Sequence, residues 1–543
     1  MHPDVRLFRK VAERYLAEYH ERFPQDASAQ GLKQYDAELG GNDPATYVFD
    51  QEHVERTLGQ VEAIPDDHFN ADDWLDRRGF LAMLRTSLFN HERERWRVNP
   101  QLHCDAAVNA IFLLVVRNSD SLGKALPALE SRLGKLPQFL EEGASCIRKP
   151  VPLWTDLAVQ SCAGAETFLR EISQQLQAVS PDPARTAKLI DGAIRAFRKY
   201  AASIQKKEQG AKGGYAIGRE SFEFLSRERT GLSYSLPEIR AMGERLVTRL
   251  SEELKQESRK FGKRSATQII EKAAARWKPN AGTLLEEYQQ VTAKVRGQFE
   301  DAGLVSFPKG EKCRVMAVPA FLRHQFPTAA YLQPPAYSKD QTGIFWVNDL
   351  SETVRDPEKR AAEVRQHFGL DFTCAHEAYP GHHLQFVIQN QHPSKLRRLF
   401  HHAIFYEGWT LWCEKMAVDE GVIDFPEARL IQLHDALWRA HRIVIDCGLQ
   451  DGSLSYQAAC KRLQDGVHFT AARAKGDVNW YTSSPTIPMS YLLGRLEVER
   501  LHAHLVGREG WTIRQFNDWM LSHGALPWNW IWQSQTRTPS LRD

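Results

Sequence analysis

The stretch HEAYPGHH, residues 376–383, decides how the C-terminal half of this 543-residue chain can fold. A zinc-binding H-E-x-x-H motif places its second histidine four residues after the first, so that one helical face presents both imidazoles to one metal ion. Here that position is Pro380, and two histidines follow later, His382 and His383. In an unbroken helix, His376 and His382 would lie about 9 Å apart along the axis, too far to share a metal.

Pro380 and Gly381 offer a way to shorten this distance. Proline lacks the backbone N–H and disfavours helical geometry in the residue before it, whereas glycine tolerates almost any backbone conformation. Looping out two residues would return His382 to the place of the usual second ligand, and this is the favoured prediction. Looping out three residues would place His383 there instead, and this alternative stays open.

A third ligand is predicted from FYEGWTLWCE, residues 405–414. A turn at 391–393 would separate two antiparallel helices and bring His382 and Glu407 to similar heights. Glutamate inside an apolar and aromatic run is unusual, because buried glutamate normally pairs with a cation or binds a metal. Glu414, two turns further along the same face, suits an outer role such as orienting a histidine.

Two histidines and Glu407 would leave the fourth position of a tetrahedral zinc site open to water. Glu377 could then take the proton of that water, which is the arrangement of metal-assisted hydrolysis. Plainer interpretations remain open for each part. A glutamate within a helix often pairs only with an arginine, and a second histidine pair, His401–His402, occurs elsewhere in the chain.

The composition indicates an ordinary globular protein, with 42% hydrophobic and 25% charged residues. A net charge of +2 argues against a nucleic-acid partner, because proteins that bind nucleic acids usually carry a clustered surplus of basic residues. The eight cysteines are scattered without a C-x-x-C pair, which favours a reducing compartment. No stretch reaches the roughly 18 uninterrupted apolar residues of a membrane span, and the charged N-terminal stretch lacks a signal-peptide core. We therefore expect a cytoplasmic protein without membrane contacts.

Apolar residues recur at helical spacing through most of the chain, for example over residues 5–19, 189–204, 239–261, 284–302 and 428–447. This pattern predicts a mainly α protein. The exception is 312–350, where short β-branched and aromatic runs bounded by proline and glycine predict a small antiparallel sheet. The run KKEQGAKGG, residues 206–214, predicts a mobile loop.

Several segments resemble a bacterial family that is catalogued as domain of unknown function 885. They are, in chain order, PQDASAQGLKQYDAEL (24–39), HEAYPGHHLQ, YEGWTLWCE, RAHRIVIDCGL (439–449), SYLLGRLEVERL (490–501) and FNDWMLSHGALP (516–527). The resemblance is strong over about 330–530 and looser before that. The H-E-x-x-P-G-H-x-x-Q and E-G-W signatures of this family are similar to the metal helices of gluzincin zinc peptidases.

The resemblance implies a large helical bundle with a deep cleft and a small antiparallel sheet. Such a fold is similar to that of the angiotensin-converting-enzyme and carboxypeptidase Taq peptidases. Residues 1–310 would form one wall of the cleft, and 311–543 would carry the sheet and the metal-site helices, within one continuous unit.

The resemblance also implies roles for individual residues. It implies zinc as the cofactor, with His376, His382 and Glu407 as ligands and Glu377 as the base. Tyr491 matches a tyrosine that donates a hydrogen bond to the developing oxyanion in those peptidases. His383 and Glu414 would lie outside the ligands and contact them without binding the metal. One departure is Gln450, which replaces the histidine of the family's D-x-G-L-H element and cannot act as a cationic donor.

We expect a short peptide as the substrate, because a deep cleft excludes folded proteins. The strand GIFWVNDL, residues 343–350, could align an extended peptide through its backbone, with Phe345 and Trp346 on opposite faces. Trp346, Asn348 and Arg442 are the candidate substrate contacts. An arginine could bind a terminal carboxylate or could pair with a structural acid such as Asp446; the candidates are Arg439, Arg442, Arg495 and Arg500.

Two other hypotheses belong to different classes. A site of two histidines and one carboxylate also suits a non-haem iron protein. A metal-free helical binding protein with a vestigial site is the third possibility, although the retention of Glu377 favours an enzyme. Monomer and homodimer both remain open, as does the choice between amino-, carboxy- and internal cleavage.

Overall fold

The computed structural model describes residues 2–209, 213–319, 323 and 328–536, most of them in helices. The chain forms two compact units. The first comprises residues 1–215 with 335–338, and the second comprises 216–334 and 339–543. No described helix combines the length with the apolar character that a bilayer crossing requires.

The first unit is entirely helical in its described part. Its helices are α1 (Pro3–Arg22), α2 (Pro24–Ala29), α3 (Pro44–Glu62), α4 (Ala71–Glu92), α5 (Arg95–Val98), α6 (Gln101–Arg117), α7 (Leu122–Cys146), α8 (Pro152–Val179) and α9 (Pro183–Glu208). Helix α9 begins after Asp182, whose carboxylate accepts the Arg185 N–H. The loop predicted over 206–214 starts inside α9, and its residues 210–212 lie outside the described part of the chain.

The second unit contains the remaining helices and the sheet. Its helices are α10 (Arg219–Thr230), α11 (Leu236–Ser258), α12 (Ala266–Ala274), α13 (Leu284–Asp301), α14 (Pro357–Arg365), α15 (Leu370–Glu377), α16 (His382–Asn390), α17 (Ala403–Asp419), α18 (Ala428–Gln450), α19 (Tyr456–Val467), α20 (Ala471–Ser483), α21 (Ile487–Leu505), α22 (Ile513–Ser522) and α23 (Trp528–Thr536). The prediction of a mainly helical protein is therefore confirmed. Helices α10 to α13, which the sequence analysis groups with the N-terminal part, belong to this second unit.

A three-stranded sheet forms where the sequence predicts one. Its strands are β1 (Lys312–Ala317), β2 (Ala329–Leu332) and β3 (Thr342–Val347), in the spatial order β1-β3-β2. The expectation of a purely antiparallel sheet is wrong, because β1 pairs with β3 in parallel and only β2 is antiparallel to β3. The chain reverses direction after β1 and again after β2, so β1 and β3 run the same way. Placing β3 in the middle makes its pairing with β1 parallel.

The central position of β3 also corrects the predicted peptide-binding strand. Both edges of β3 are already paired, for example Arg314 with Ile344 on one side and Tyr331 with Phe345 on the other. Phe345 and Trp346 are 0% and 4% exposed. Because its backbone hydrogen bonds serve the sheet, β3 cannot pair with a substrate. Among the described strands, the outer edges belong to β1 and β2.

Two glycines let α17 and α21 pack closely. A Cβ atom on Gly408 would lie 2.7 Å from the Cα atom of Gly494, and a Cβ atom on Gly494 would lie 2.2 Å from the Ile404 carbonyl oxygen. Larger side chains would therefore push the helices apart. This close approach brings Glu407, next to Gly408, beside Tyr491, which lies one helical turn before Gly494.

Candidate metal centre

The helix around HEAYPGHH breaks where the sequence predicts. Helix α15 ends at Glu377 and α16 begins at His382, so residues 378–381 form a tight turn. A Cβ atom on Gly381 would lie 1.8 Å from the His376 carbonyl oxygen, so no residue other than glycine fits without a shift of the backbone. The indole N–H of Trp409, from α17, donates a 2.8 Å hydrogen bond to the Pro380 carbonyl oxygen. The turn is thus fixed against the helix that carries Glu407.

The turn brings together three side chains predicted as metal ligands. Nε2 of His376 and Nε2 of His382 each lie 3.6 Å from Oε2 of Glu407. The imidazole rings are nearly perpendicular, with centroids 5.0 Å apart, and the possible ligand atoms of the three residues all lie within 4.8 Å of one another. A tetrahedral zinc ion at about 2.1 Å from each ligand holds the ligand atoms about 3.4 Å apart. The observed spacing fits this requirement.

The same group contains buried polar atoms that need a partner. The three residues are only 7–9% exposed. Among the described residues, Oε2 of Glu407 and Nδ1 of His382 have no hydrogen-bond partner. Leaving a buried carboxylate oxygen unpaired is costly, and a bound cation would remove that cost. The donor set of two imidazoles and one carboxylate matches that of catalytic zinc sites.

The two histidines have opposite protonation tendencies. Burial alone would lower the pKa of His376, but the adjacent Glu407 and Glu414 carboxylates together raise it to about 10. Burial lowers the pKa of His382 to about 4, so this ring is neutral near pH 7. Glu414 Oε1 lies 2.7 Å from Nδ1 of His376. This contact orients the ring so that Nε2 faces Glu407, which is the outer role predicted for Glu414.

Glu377 ends α15 directly after His376. Burial and the nearby Glu407 and Glu414 carboxylates raise its pKa to about 7, against the opposing effect of His376. A carboxyl group that titrates near neutral pH can both accept and release a proton during a reaction. The position and the pKa of Glu377 therefore suit a general base.

Tyr491 lies on the other side of the Glu407 carboxylate. Against the effect of burial, His382, His376 and the Tyr491 hydroxyl together lower the pKa of the Glu407 carboxyl group, so the Tyr491 and Glu407 side chains lie close to each other. The Tyr491 ring is approached by the guanidinium of Arg442, whose Cζ atom is 4.6 Å from the ring centroid. Tyr491, the predicted oxyanion donor, thus lies next to Glu407, which is one of the three candidate ligands.

His383, the alternative ligand, takes no part in this group. Its Nε2 lies 2.8 Å from Glu311, and its Nδ1 lies 2.9 Å from the Tyr331 hydroxyl. Glu311 also accepts hydrogen bonds from Tyr379 and Arg296. This network links the start of α16 to β2 and to the residue before β1. Sequence reasoning missed Glu311 and Tyr331, because neither lies in a motif that suggests this contact.

The helices that follow His382 differ in part from the predicted hairpin. Residues 391–402 contain turns and a short 3-10 helix, Arg397–Leu399, so α17 begins only at Ala403. The amide group of Gln389 donates to the carbonyl oxygens of Arg397 and Phe400. The Gln389 side chain thus provides hydrogen bonds to backbone carbonyl groups that a continuous α-helix would otherwise have to satisfy.

The predicted substrate contacts Trp346 and Asn348 lie inside the protein. Trp346 is 4% exposed, and Asn348 is 0% exposed. The Asn348 side-chain amide donates to the Arg323 carbonyl oxygen at 2.7 Å. A role in substrate binding stays a prediction for both.

Pairing with a structural acid is found for Arg439, Arg495 and Arg500. The acid is not Asp446, whose carboxyl group instead accepts the N–H groups of Thr486 and Met489 at the start of α21.

The fold is similar to that of two solved structures. A protein from Shewanella oneidensis, described as "a putative lipoprotein of unknown function", has a TM-score of 0.76 at 19% identity, covering 97% of this chain and 99% of that one. A "putative lipoprotein from Colwellia psychrerythraea" has a TM-score of 0.74 at 16% identity, covering 97% and 98%. No curated protein matches the sequence. The family described as "Bacterial protein of unknown function (DUF885)" matches residues 24–533, and the chain belongs to this family.

Proposed function

We propose that this protein is a zinc-dependent hydrolase that cleaves peptide bonds in short peptides. The observation that carries the proposal is the convergence of His376, His382 and Glu407 at zinc-like spacing, with Glu377 directly beside the first ligand. A relationship to gluzincin peptidases is part of the proposal, since a broken H-E helix and a following E-G-W helix supply the ligands.

The chain's own residues would divide the work of hydrolysis. A zinc ion held by the three ligands would polarise the substrate carbonyl group and make a water molecule more acidic. Glu377 would take the proton of the attacking water as the new carbon–oxygen bond forms. It would then deliver that proton to the amine as the carbon–nitrogen bond breaks. Tyr491 would donate a hydrogen bond to the carbonyl oxygen as negative charge develops there.

The surroundings of the ligands favour a short and extended substrate. With 7–9% exposure, the ligands are too deeply buried for the surface of a folded protein to reach them. Strand β2 pairs with β3 on one side only, and its Tyr331 ring lies 6.3 Å from that of His382. A peptide that pairs with the outer edge of β2 would therefore pass beside the candidate metal centre.

A digest of mixed short peptides tests this proposal. The zinc-loaded protein is incubated with the mixture, and new termini are identified by mass spectrometry. Glu377→Gln should lower the rate at least about a hundredfold while zinc stays bound, because only the base is removed. Glu420→Gln, on the exposed residue after α17, is the matched control and should leave the rate unchanged. Absence of products, or equal rates for Glu377→Gln and wild type, would contradict the proposal.

A further inference from the structure

Arg442 lies in α18 among aromatic rings close to the candidate metal centre. Its Cζ atom is 4.0 Å from the ring centroid of Trp438 and 4.6 Å from that of Tyr491. Its Nε donates a 2.8 Å hydrogen bond to the Tyr481 hydroxyl. The residue is 6% exposed. Its guanidinium is therefore packed close to two aromatic rings in a largely buried environment.

No carboxylate oxygen of the described residues lies within hydrogen-bond distance of Arg442, and the nearest is Oδ2 of Asp477, 3.9 Å from Nη2. That oxygen already accepts hydrogen bonds from the Trp438 indole and the Tyr481 hydroxyl. Against the effect of burial, Tyr481, Asp477, Tyr491 and Glu407 still favour the charged guanidinium at longer range and raise its pKa. Nη1 of Arg442 has no hydrogen-bond partner among the described residues. A buried cation with an unused donor is costly, and an incoming anion would offset this cost.

The other arginines that could read a carboxylate have closer acidic partners. Nη1 of Arg439 lies 3.5 Å from Oδ2 of Asp435, which is one helical turn earlier on α18. Arg495 lies 3.1 Å from Glu499, and the exposed Arg500 lies 2.7 Å from Glu497. Nε of Arg439 and Nε of Arg495 also lack a hydrogen-bond partner among the described residues. What distinguishes Arg442 among the four arginines considered from the sequence is that no described carboxylate lies within 3.5 Å of it.

Tyr491 connects Arg442 to the metal centre. Its side chain is close enough to Glu407 to lower the pKa of that carboxyl group, and its ring centroid lies 4.6 Å from Cζ of Arg442. The two charged groups are therefore separated by a single tyrosine side chain. An extended peptide advances about 3.3 Å per residue. A peptide whose scissile bond lies at the metal centre could thus reach Arg442 with its first or second residue beyond that bond.

We propose that Arg442 binds the terminal carboxylate of the substrate and makes the enzyme a carboxypeptidase that releases one or two residues. This inference rests on the proposed peptide hydrolysis. A guanidinium matches a carboxylate with two parallel hydrogen bonds, and the rings of Trp438 and Tyr491 keep it in place for that contact. Recognition of the free carboxylate would then select the cleavage position more strongly than any side chain.

The test compares a short peptide with its C-terminally amidated twin, using the zinc-loaded protein. We expect release of one or two C-terminal residues from the free peptide. We expect a kcat/KM about 10- to 100-fold lower for the amidated twin, the scale of one lost charged hydrogen-bonding contact. Equal rates and equal cleavage positions for the twins would overturn the role of Arg442 but would leave peptide hydrolysis intact. Failure to cleave either peptide would overturn both proposals.

Variants locate the effect at Arg442. Arg442→Met should raise KM for the free peptide with little change in kcat, and should leave the amidated twin unaffected. Arg442→Lys should recover part of the loss, because it keeps the charge but not the paired geometry. Arg500→Met is the exposed control on α21 and should behave as wild type. If Arg442→Met does not fold, Arg442→Lys and the comparison of the two peptides with the wild-type protein still test whether Arg442 binds the carboxylate. An equal loss on both twins would show a merely structural arginine and would overturn the inference.

Discussion

Nε2 of His382 lies 3.6 Å from Oε2 of Glu407, although helix α16 and the irregular segment 391–402 separate the two residues along the chain. The contact depends on the break between α15 and α16, because only that break returns His382 to the side of His376. The hydrogen bond from the Trp409 indole to the Pro380 carbonyl oxygen holds α17, which carries Glu407, against this break. The candidate metal centre therefore depends on the broken helix and on the packing of α17 against it.

The assignment of His382 as a ligand predicts how two neighbouring histidine variants differ. His382→Ala should abolish stoichiometric zinc binding, because one of three ligands is lost. His383→Gln should keep zinc, since glutamine can still hydrogen-bond Glu311 and Tyr331. Zinc content after dialysis, measured by mass spectrometry of the metal, distinguishes them. The reverse pattern would show that His383 is the ligand.

Glu414 is expected to tune the metal centre without touching the metal. Its contact with Nδ1 of His376 orients the ring and increases its basicity. Glu414→Gln should weaken zinc affinity about 10- to 100-fold while the fold is retained. Competition with a fluorescent chelator measures the affinity, and circular dichroism checks the fold. Unchanged affinity would remove Glu414 from the account.

Gly381 is expected to tolerate no side chain. Gly381→Ala would force a Cβ atom onto the backbone of α15, so the turn must shift. We expect the free energy of unfolding to fall by about 1–3 kcal/mol, the usual cost of overpacking, and zinc binding to weaken. Gly297→Ala, in α13 with open space around it, is the control and should be neutral or slightly stabilising. Urea unfolding of both variants measures the difference, and equal stabilities would contradict the tight turn.

The raised pKa of Asp446 makes the free energy of unfolding depend on pH. Burial raises the pKa of this carboxyl group from 3.8 to about 8 in the folded protein. Between these values the unfolded chain releases the proton and the folded protein keeps it, so this group makes stability fall as pH rises towards 8. Asp446→Asn cannot ionise and should lose less stability than wild type between pH 5 and pH 8. Parallel pH profiles from urea unfolding would show that Asp446 is already ionised.

The helices and the convergence of His376, His382 and Glu407 could be predicted from the sequence, because both depend largely on local patterns. Apolar spacing identifies helices such as α13 and α18, and Pro380–Gly381 identifies the break. The position of Glu407 within an apolar run indicates that this glutamate binds a cation or a metal. These signals are properties of neighbouring residues and need no knowledge of tertiary contacts.

Strand order and the surrounding contacts could not be predicted in the same way. A short β-branched and aromatic run indicates that β3 is a strand but does not show that it lies between β1 and β2. Glu311 and Tyr331 meet His383 only through tertiary packing, and neither has a local pattern that suggests it. The sequence already indicates Arg442 as a candidate substrate contact, but the acids that each of the four arginines contacts follow only from the structure.

The central claim is that zinc at His376, His382 and Glu407 enables peptide hydrolysis. The most direct measurement removes all metal with a chelator, returns zinc in steps and follows cleavage of one short peptide. We predict no activity in the stripped protein and full recovery at one zinc ion per chain. Full activity without metal, or recovery with ferrous iron but not with zinc, would contradict the claim.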